Sequence, residues 1–156
     1  MITMNSESKH SRQTGFSLVE VLITLVIMSV GMLGIAGLYV QSMQAGRTSM
    51  FRHHAVTLAG DVADRIRANP RAAADYLDDV GANNNCVLGG IDCNPAAMAA
   101  NDIFLWKAQA AETLPGGDVT IVLDNAVIPP TYSITVSWNE PGELQTYVIT
   151  IAVLGI

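Results

Sequence analysis

Side chains that could do covalent or acid–base chemistry are few and scattered in this 156-residue chain. His53 and His54 are adjacent, and neighbouring residues on a helix point in different directions, so they do not form a paired acid and base. The sequence contains no H-E-x-x-H motif, no glycine-rich phosphate loop and no nucleophile elbow. We therefore expect a protein that is not an enzyme and that binds no cofactor, no metal and no small-molecule substrate.

Acidic residues outnumber basic ones and are unevenly distributed. The chain has 14 Asp and Glu against 8 Lys and Arg, a formal net charge of −6. Beyond Arg71 only Lys107 is basic. Because binding to phosphates needs clustered Lys and Arg, we expect no nucleic-acid partner.

A long apolar segment near the N-terminus determines how the rest of the chain is placed. No charged residue occurs from Val21 to Gly46, and a helix of this length crosses a bilayer core about 30 Å thick. Lys9 and Arg12 precede the segment, so the positive-inside rule places the N-terminus in the cytoplasm and the remaining chain outside. Glu20 lies at the cytoplasmic edge, where an ionised carboxylate costs about 2.5–3.5 kcal/mol and needs a cationic partner.

The residues that join the polar leader to the apolar segment resemble a processing signal. Gly15-Phe16-Ser17-Leu18-Val19-Glu20 is similar to the type IV prepilin signal of pilins and type II secretion pseudopilins. The resemblance implies that prepilin peptidase cuts between Gly15 and Phe16 and N-methylates Phe16. It also implies that Glu20 pairs with the N-terminal amine of a neighbouring subunit during assembly.

An ordinary secretory signal is the alternative account of this region. Such a signal is cut after its apolar part, whereas Gly15 comes before it. Cleavage ahead of the apolar run keeps the membrane helix in the mature protein. We therefore expect a prepilin leader at residues 1–15, a transmembrane and assembly half of a long helix at residues 16–46, and a periplasmic pilin head at residues 47–156.

Glycines recur at intervals of three within the apolar segment. Gly31, Gly34 and Gly37 leave a nearly bare stripe on one helix face, which allows another helix to approach closely in lipid. The alternative is a helix that is simply weakened, since each interior glycine costs about 1 kcal/mol relative to alanine. The two interpretations are compatible, and we favour helix packing.

The helical pattern continues beyond the membrane in amphipathic form. Apolar residues follow helical spacing from Phe51 to Ile66, and Pro70 ends the helix because it pushes the preceding residue out of helical geometry. The pattern predicts one helix of about fifty residues.

The sequence at the end of this helix makes the resemblance more specific. The segment 58–70, LAGDVADRIRANP, resembles a block of the minor pilins called PilV, or type IV pilus modification proteins, and the resemblance returns at Trp106, 114–117 and 136–138. It implies a minor pilin that helps to initiate type IV pilus assembly in a minor-pilin complex near the pilus tip, supporting pilus biogenesis, twitching motility and adhesion. The implied partners are other minor pilins, the major pilin, a tip adhesin and prepilin peptidase. A type II secretion pseudopilin and a single-pass periplasmic sensor are the alternatives.

Four charged residues in the same block are candidates for contact with a partner subunit. The plainer interpretation is a solvated helix face. The candidates are Asp61, Asp64, Arg65 and Arg67.

The two cysteines, Cys86 and Cys93, lie in a polar loop that contains glycine. Export to an oxidising compartment favours a disulfide between them. Metal binding and free thiols are the alternatives, and a metal site needs more ligands at recognised spacing.

The rest of the head is predicted to contain a second helix and a small sheet. Asn94-Pro95 starts the helix and Pro115 ends it, with an interruption expected near Asn101-Asp102. Alternating apolar residues then predict three or four antiparallel strands, including 118–124, 132–138 and 145–154. The expected fold class is α+β and pilin-like, with the long N-terminal helix packed on the sheet.

Overall fold

The computed structural model describes residues 15–77, 79–87 and 91–152. They fall into two compact units that divide between Gln44 and Ala45. The expected leader lies outside the described residues except for Gly15, and the end of the third expected strand, 153–154, also lies outside them. The cleavage and membrane boundaries proposed from the sequence stay predictions.

The first element is the helix α1, Leu18–Ala68, of 51 residues. By length and composition α1 could cross a membrane, with a mean hydropathy of 2.5 in its most apolar window. The helix ends because Pro70 follows Asn69, whose N–H still bonds to the carbonyls of Arg65 and Ile66 at 3.1 and 3.2 Å. The expected stop is confirmed.

Within the second unit, α1 buries one side. The buried side chains follow the amphipathic spacing, and Phe51 packs against them while half-buried. They are Ala55, Leu58, Ala59, Val62, Ala63 and Ile66. Because most of them are small or branched, the helix can lie close to the elements that cover it.

Two short 3-10 helices, Pro70–Ala72 and Ala74–Leu77, follow α1. The second helix, α2, runs from Pro95 to Thr113. The side chain of Asn94 caps α2 by accepting a hydrogen bond from the Ala97 N–H at 2.8 Å. The structure corrects the expected interruption, because α2 is continuous through Asn101 and Asp102 and both are buried.

The turn after α2 requires glycine. Gly116 has φ +59°, and a Cβ on Gly117 would lie 2.2 Å from the carbonyl oxygen of Ala110. No larger residue at 117 allows the chain to pass so close to the end of α2.

The sheet has three antiparallel strands in the order β1-β2-β3. They are β1, Asp118–Asp124, β2, Thr131–Glu140, and β3, Glu143–Ala152. Every second residue of the central strand β2 is buried, from Tyr132 to Trp138, and these side chains share one core with α1 and α2. The structure is the expected α+β, pilin-like fold, with the long helix packed on the sheet.

Candidate assembly site

The N-terminal end of α1 is accessible. Gly15 and Phe16 precede the helix, Phe16 is 84% exposed, and a Cβ on Gly15 would meet nothing within 4 Å. The carbonyl of Ser17 accepts bonds from the N–H groups of Glu20 and Val21 at 3.0 and 3.3 Å, which starts the helix. The expected cleavage residues therefore lie in a non-helical segment.

Glu20 lies in the first turn of α1. A carboxylate there is favoured by the partial positive charge at a helix N-terminus. Glu20 forms no salt bridge with any residue in the described part of the chain. The structure thus leaves its side chain available for a cation from another molecule.

The glycine stripe is open. A Cβ built on Gly31, Gly34 or Gly37 would meet no atom within 4 Å. The neighbouring apolar side chains are exposed, with Leu33 at 74% and Ile35 at 70%. This surface is available to lipid or to a second helix.

The four charged candidates at the end of α1 divide into two kinds. Asp61 and Arg65 contact the head itself: their side chains are 3.1 Å apart, and the indole N–H of Trp106 donates to Asp61 at 2.9 Å. Asp64 and Arg67 pair with each other at 3.0 Å, and their side chains are 80% and 56% exposed. Among the described hydrogen bonds and ion pairs, the side chains of Asp64 and Arg67 form none with residues outside α1.

A buried polar cluster lies beside the first pair, and the sequence did not reveal it. The Arg65 guanidinium donates to Asp102 at 2.8 Å, and Asp102 also accepts from the hydroxyl of Tyr76 at 3.1 Å. Asp102 is 2% exposed and Tyr76 is fully buried. Asn69 donates to the Tyr76 hydroxyl at 3.3 Å and to the carbonyl of Pro95 at 2.9 Å. The cluster ties α2 and a 3-10 helix to the end of α1.

The cluster shifts two pKa values. Burial opposes the charge of Arg65, but the charges of Asp61 and Asp102 and the hydrogen bonds to them outweigh burial and raise the pKa of Arg65. Burial raises the pKa of Tyr76 to about 12. At neutral pH the cluster therefore holds a neutral phenol and a charged guanidinium around Asp102.

A disulfide and side-chain hydrogen bonds both hold the loop that contains the two cysteines. Cys86 and Cys93 form a disulfide with an S–S distance of 2.01 Å, which confirms the expected pairing. The buried side chain of Asn101 accepts from the N–H groups of Asn84 and Cys86 at 3.0 and 3.4 Å, and Asn84 donates to the carbonyl of Ala97 at 2.9 Å. Asn101 is buried because its side chain holds the loop in this way. The sequence alone does not indicate this role for a polar residue on a helix.

Hydrogen bonds join the start of the head to the β2–β3 hairpin. The hydroxyl of Thr48 donates to Glu140 at 2.7 Å, and the indole N–H of Trp138 donates to the same carboxylate at 3.0 Å. These two bonds, with the nearby charge of Arg52, lower the pKa of Glu140. The Arg47 guanidinium lies 5.9 Å from the centre of the Phe51 ring.

The described residues contain no group of three His, Cys, Asp or Glu side chains placed to hold a metal ion. His53 is exposed and His54 half-buried on α1, with ring centres 6.3 Å apart. The described residues instead offer surfaces for association: an apolar helix with a carboxylate in its first turn, and a disulfide-bonded head.

Comparison with known proteins gives two adjoining matches. The prokaryotic N-terminal methylation motif matches residues 10–36, and the family described as Type IV pilin Tt1218 matches residues 37–104. No curated protein and no solved structure matches the chain. Type IV pilins are structural proteins that are processed by prepilin peptidase and assemble with other pilins. With the fold described above, the two matches show that this chain is similar to type IV pilins over residues 37–104 and carries the prokaryotic N-terminal methylation motif at residues 10–36.

Proposed function

We propose that this chain is a PilV-type minor pilin that helps to initiate type IV pilus assembly. It acts in a minor-pilin complex near the pilus tip and supports pilus biogenesis, twitching motility and adhesion. The observation that carries the proposal is the accessible N-terminus of α1, where the methylation motif, residues 10–36, includes the first part of an exposed apolar helix. The PilV-like block at 58–70 supports the narrower assignment.

Processing occurs between Gly15 and Phe16, and Phe16 is then N-methylated. The non-helical backbone and the open space around Gly15 support this step. The mature protein begins with the membrane and assembly half of α1, residues 16–46, followed by the periplasmic head, residues 47–156. It resides in the inner membrane with its N-terminus cytoplasmic and then enters the pilus.

Glu20 is the assembly carboxylate. In a bundle of pilin helices it pairs with the N-terminal amine of the adjacent subunit, and the low dielectric constant of such a bundle strengthens the attraction well beyond its value in water. The stripe of Gly31, Gly34 and Gly37 lets the neighbouring helices approach closely. Other minor pilins, the major pilin and a tip adhesin are the proposed partners.

The exposed pair Asp64 and Arg67 faces a partner subunit. Asp61 and Arg65 act indirectly, because their contacts with Trp106 and Asp102 set the packing of α2 on α1. Charge-reversal of Asp64 and Arg67 together should preserve their mutual pairing, so a partner contact would be lost without a loss of fold.

The type II secretion pseudopilins share the methylation motif and are the alternative. Purification of the tagged full-length chain from membranes, followed by identification of bound proteins, distinguishes the two. Type IV minor pilins should be recovered under the proposal, whereas recovery of secretion-system pseudopilins in their place would establish the alternative.

The same purification tests Glu20. Glu20→Ala should insert and be cleaved normally but recover the other minor pilins poorly and give fewer surface pili. Glu112→Ala is the matched control, because Glu112 is an exposed carboxylate on α2. If Glu20→Ala recovers partners and pili as the wild type does, the carboxylate has no assembly role.

A further inference from the structure

We infer that the outer edge of strand β3 is a docking site for an extended segment of another protein, which adds a fourth strand to the sheet. This edge lies in the head and involves neither the processing signal nor the apolar half of α1. The inference therefore goes beyond the proposed function. Only the exclusion of a second copy of the chain as the added strand rests on that proposal.

The outer side of β3 has unpaired backbone groups. The sheet ends at β3, because the strand order is β1-β2-β3 and β3 pairs with β2. The ladder to β2 uses alternate backbone groups of β3, and the others point away from the sheet. Within the described ranges, residues 143–152 form no backbone hydrogen bond outside this ladder. The edge therefore offers a row of donors and acceptors to an added strand.

The sequence of β3 leaves this edge open to pairing. Exposed edges are usually blunted by charged residues, proline, bulges or a covering element. From Leu144 to Ala152 the sequence has no charged residue, no proline and no glycine. The pairing with β2 runs residue for residue over all 10 residues of β3, without a bulge. A long, regular and uncharged edge of this kind is an aggregation hazard unless a partner covers it.

The opposite edge of the sheet is protected in the ways that β3 lacks. The strand β1 has 7 residues and carries Asp118 and Asp124 at its two ends. Asp118 accepts a hydrogen bond from Lys107 of α2 at 2.9 Å, and Lys107 also donates to Asp79 at 3.2 Å. Both α2 and the second 3-10 helix lie against β1. This difference between the two edges favours β3 as the site of strand addition.

The side chains of β3 indicate what the added strand contains. Tyr147 and Ile149 pack against the core but are only half-buried, so apolar side chains on the inner face of an added strand would cover them. Thr146, Val148 and Thr150 are exposed on the other face, where threonine and β-branched residues pair well across strands. The complementary segment is therefore uncharged, and its apolar residues alternate with threonine or valine.

An apolar pocket lies at the end of β3. It has a volume of about 230 Å³, and Ile66, Pro70, Tyr132, Ile151 and Ala152 are among the residues that line it. Ile151 and Ala152 belong to β3, so a strand added along this edge brings an inward side chain beside the pocket. In strand addition the main-chain bonds supply affinity and such pockets supply specificity.

A second copy of this chain does not fit the edge. Antiparallel pairing of two β3 edges relates the copies by a twofold axis normal to the sheet, and this rotation reverses every direction in the plane of the sheet. The head part of α1 packs on the sheet, so the two α1 helices would run in opposite directions. The proposed assembly requires them to run in parallel in one membrane. The added strand therefore comes from a different protein.

The test uses the full-length chain in detergent and a synthetic peptide as the probe. In the peptide, threonine and valine alternate between terminal lysines that keep it soluble. Its control is the same peptide N-methylated at every threonine and valine, which removes the backbone donors. The unmethylated peptide should slow amide hydrogen exchange at alternate residues of β3 and leave β1 unchanged, and the methylated one should have no effect. Equal effects of the two peptides, or no effect of either, would overturn the inference.

Val148 and Val122 give a matched pair of variants. Both valines lie on edge strands with similar exposure, 50% and 56%, so lysine at either position adds the same charge without entering the core. Val148→Lys should weaken binding of the peptide about fivefold, because a lysine on the edge replaces a favourable cross-strand pair. Val122→Lys should bind as the wild type does. Equal weakening by both variants would show a general charge effect and overturn the assignment to β3.

Two further measurements separate the other outcomes. Concentration-dependent dimerisation of the wild type that slows the same β3 amides without peptide would overturn the choice of a different protein and make the occupant a second copy. Processing at Phe16 is measured on the same preparations. A correctly processed chain whose β3 does not respond to the peptide overturns this inference alone, whereas peptide binding by a chain that begins elsewhere supports the docking edge and contradicts the proposed function.

Discussion

Asp102 of α2 accepts a hydrogen bond from the Arg65 guanidinium of α1 at 2.8 Å, with Asp102 2% exposed. The two residues are 37 positions apart in the sequence, and their contact fixes the middle of α2 against the last turns of α1. Arg65, which we predicted from the sequence to be a candidate for contact with a partner subunit, therefore holds the head together.

Removing the carboxylate should destabilise the head. Asp102→Ala leaves Arg65 and the Tyr76 hydroxyl without their common acceptor, and we expect a loss of about 2–3 kcal/mol in the free energy of unfolding. Asp64→Ala is the control, with a change within about 0.5 kcal/mol because its side chain is 80% exposed. Denaturant unfolding of the full chain in detergent, followed by the fluorescence of Trp106 and Trp138, measures both. Similar losses in the two variants would contradict the role of the buried cluster.

Alkaline pH should weaken the head through Tyr76. Its pKa is raised to about 12 in the fold, against about 10 in an unfolded chain, so the fold retains a proton that the unfolded chain releases. The stabilisation is complete below about pH 10 and is lost as the pH rises through about 12. Tyr76→Phe has no phenol to titrate at this position, so its free energy of unfolding should fall less than that of the wild type over the same pH range. Parallel curves would show that Tyr76 titrates normally.

The disulfide should order its loop without defining the fold. The short loop gives a chain-entropy stabilisation of about 2–3 kcal/mol, and Asn101 holds the backbone of Asn84 independently. Cys86→Ser/Cys93→Ser should thus remain folded, with faster amide hydrogen exchange confined to the residues near the cysteines. Asn101→Ala should also speed the exchange of the Asn84 amide, which loses its acceptor. Cooperative loss of the sheet in the cysteine variant would contradict this division.

The local features of the fold were predictable because each is encoded by nearby residues. Pro70 ends α1, Asn94 caps α2, and the alternation of Tyr132 to Trp138 marks the central strand. The disulfide followed from the cysteine count and the inferred compartment.

The interior contacts of the charged residues were not predictable in the same way. A polar pair at 101–102 suggested a break in α2, but both side chains are satisfied by residues distant in the sequence. From the sequence Asp61 likewise looks like a surface charge, but in the structure it accepts a hydrogen bond from the indole N–H of Trp106. Such partners depend on tertiary packing, which helical periodicity does not encode.

Gly15 should be the determinant of processing. Gly15→Val adds a branched side chain where the peptidase must fit a small residue, and the open space around Gly15 means that the fold itself is not disturbed. The variant should insert in the membrane and keep its leader, so its mass should exceed that of the processed wild type by the mass of its own residues 1–15, with valine at position 15, less the N-methyl group that the wild type carries. Normal cleavage of this variant would place the recognition elsewhere.

Mass spectrometry of the N-terminal peptide of the wild-type protein, purified from membranes, tests the proposed processing site directly. We expect a peptide that begins at Phe16 and carries an N-methyl group. A protein that begins at any other residue would contradict the assignment of Gly15 and Phe16 as the processing site, and with it the proposed entry of this chain into a pilus.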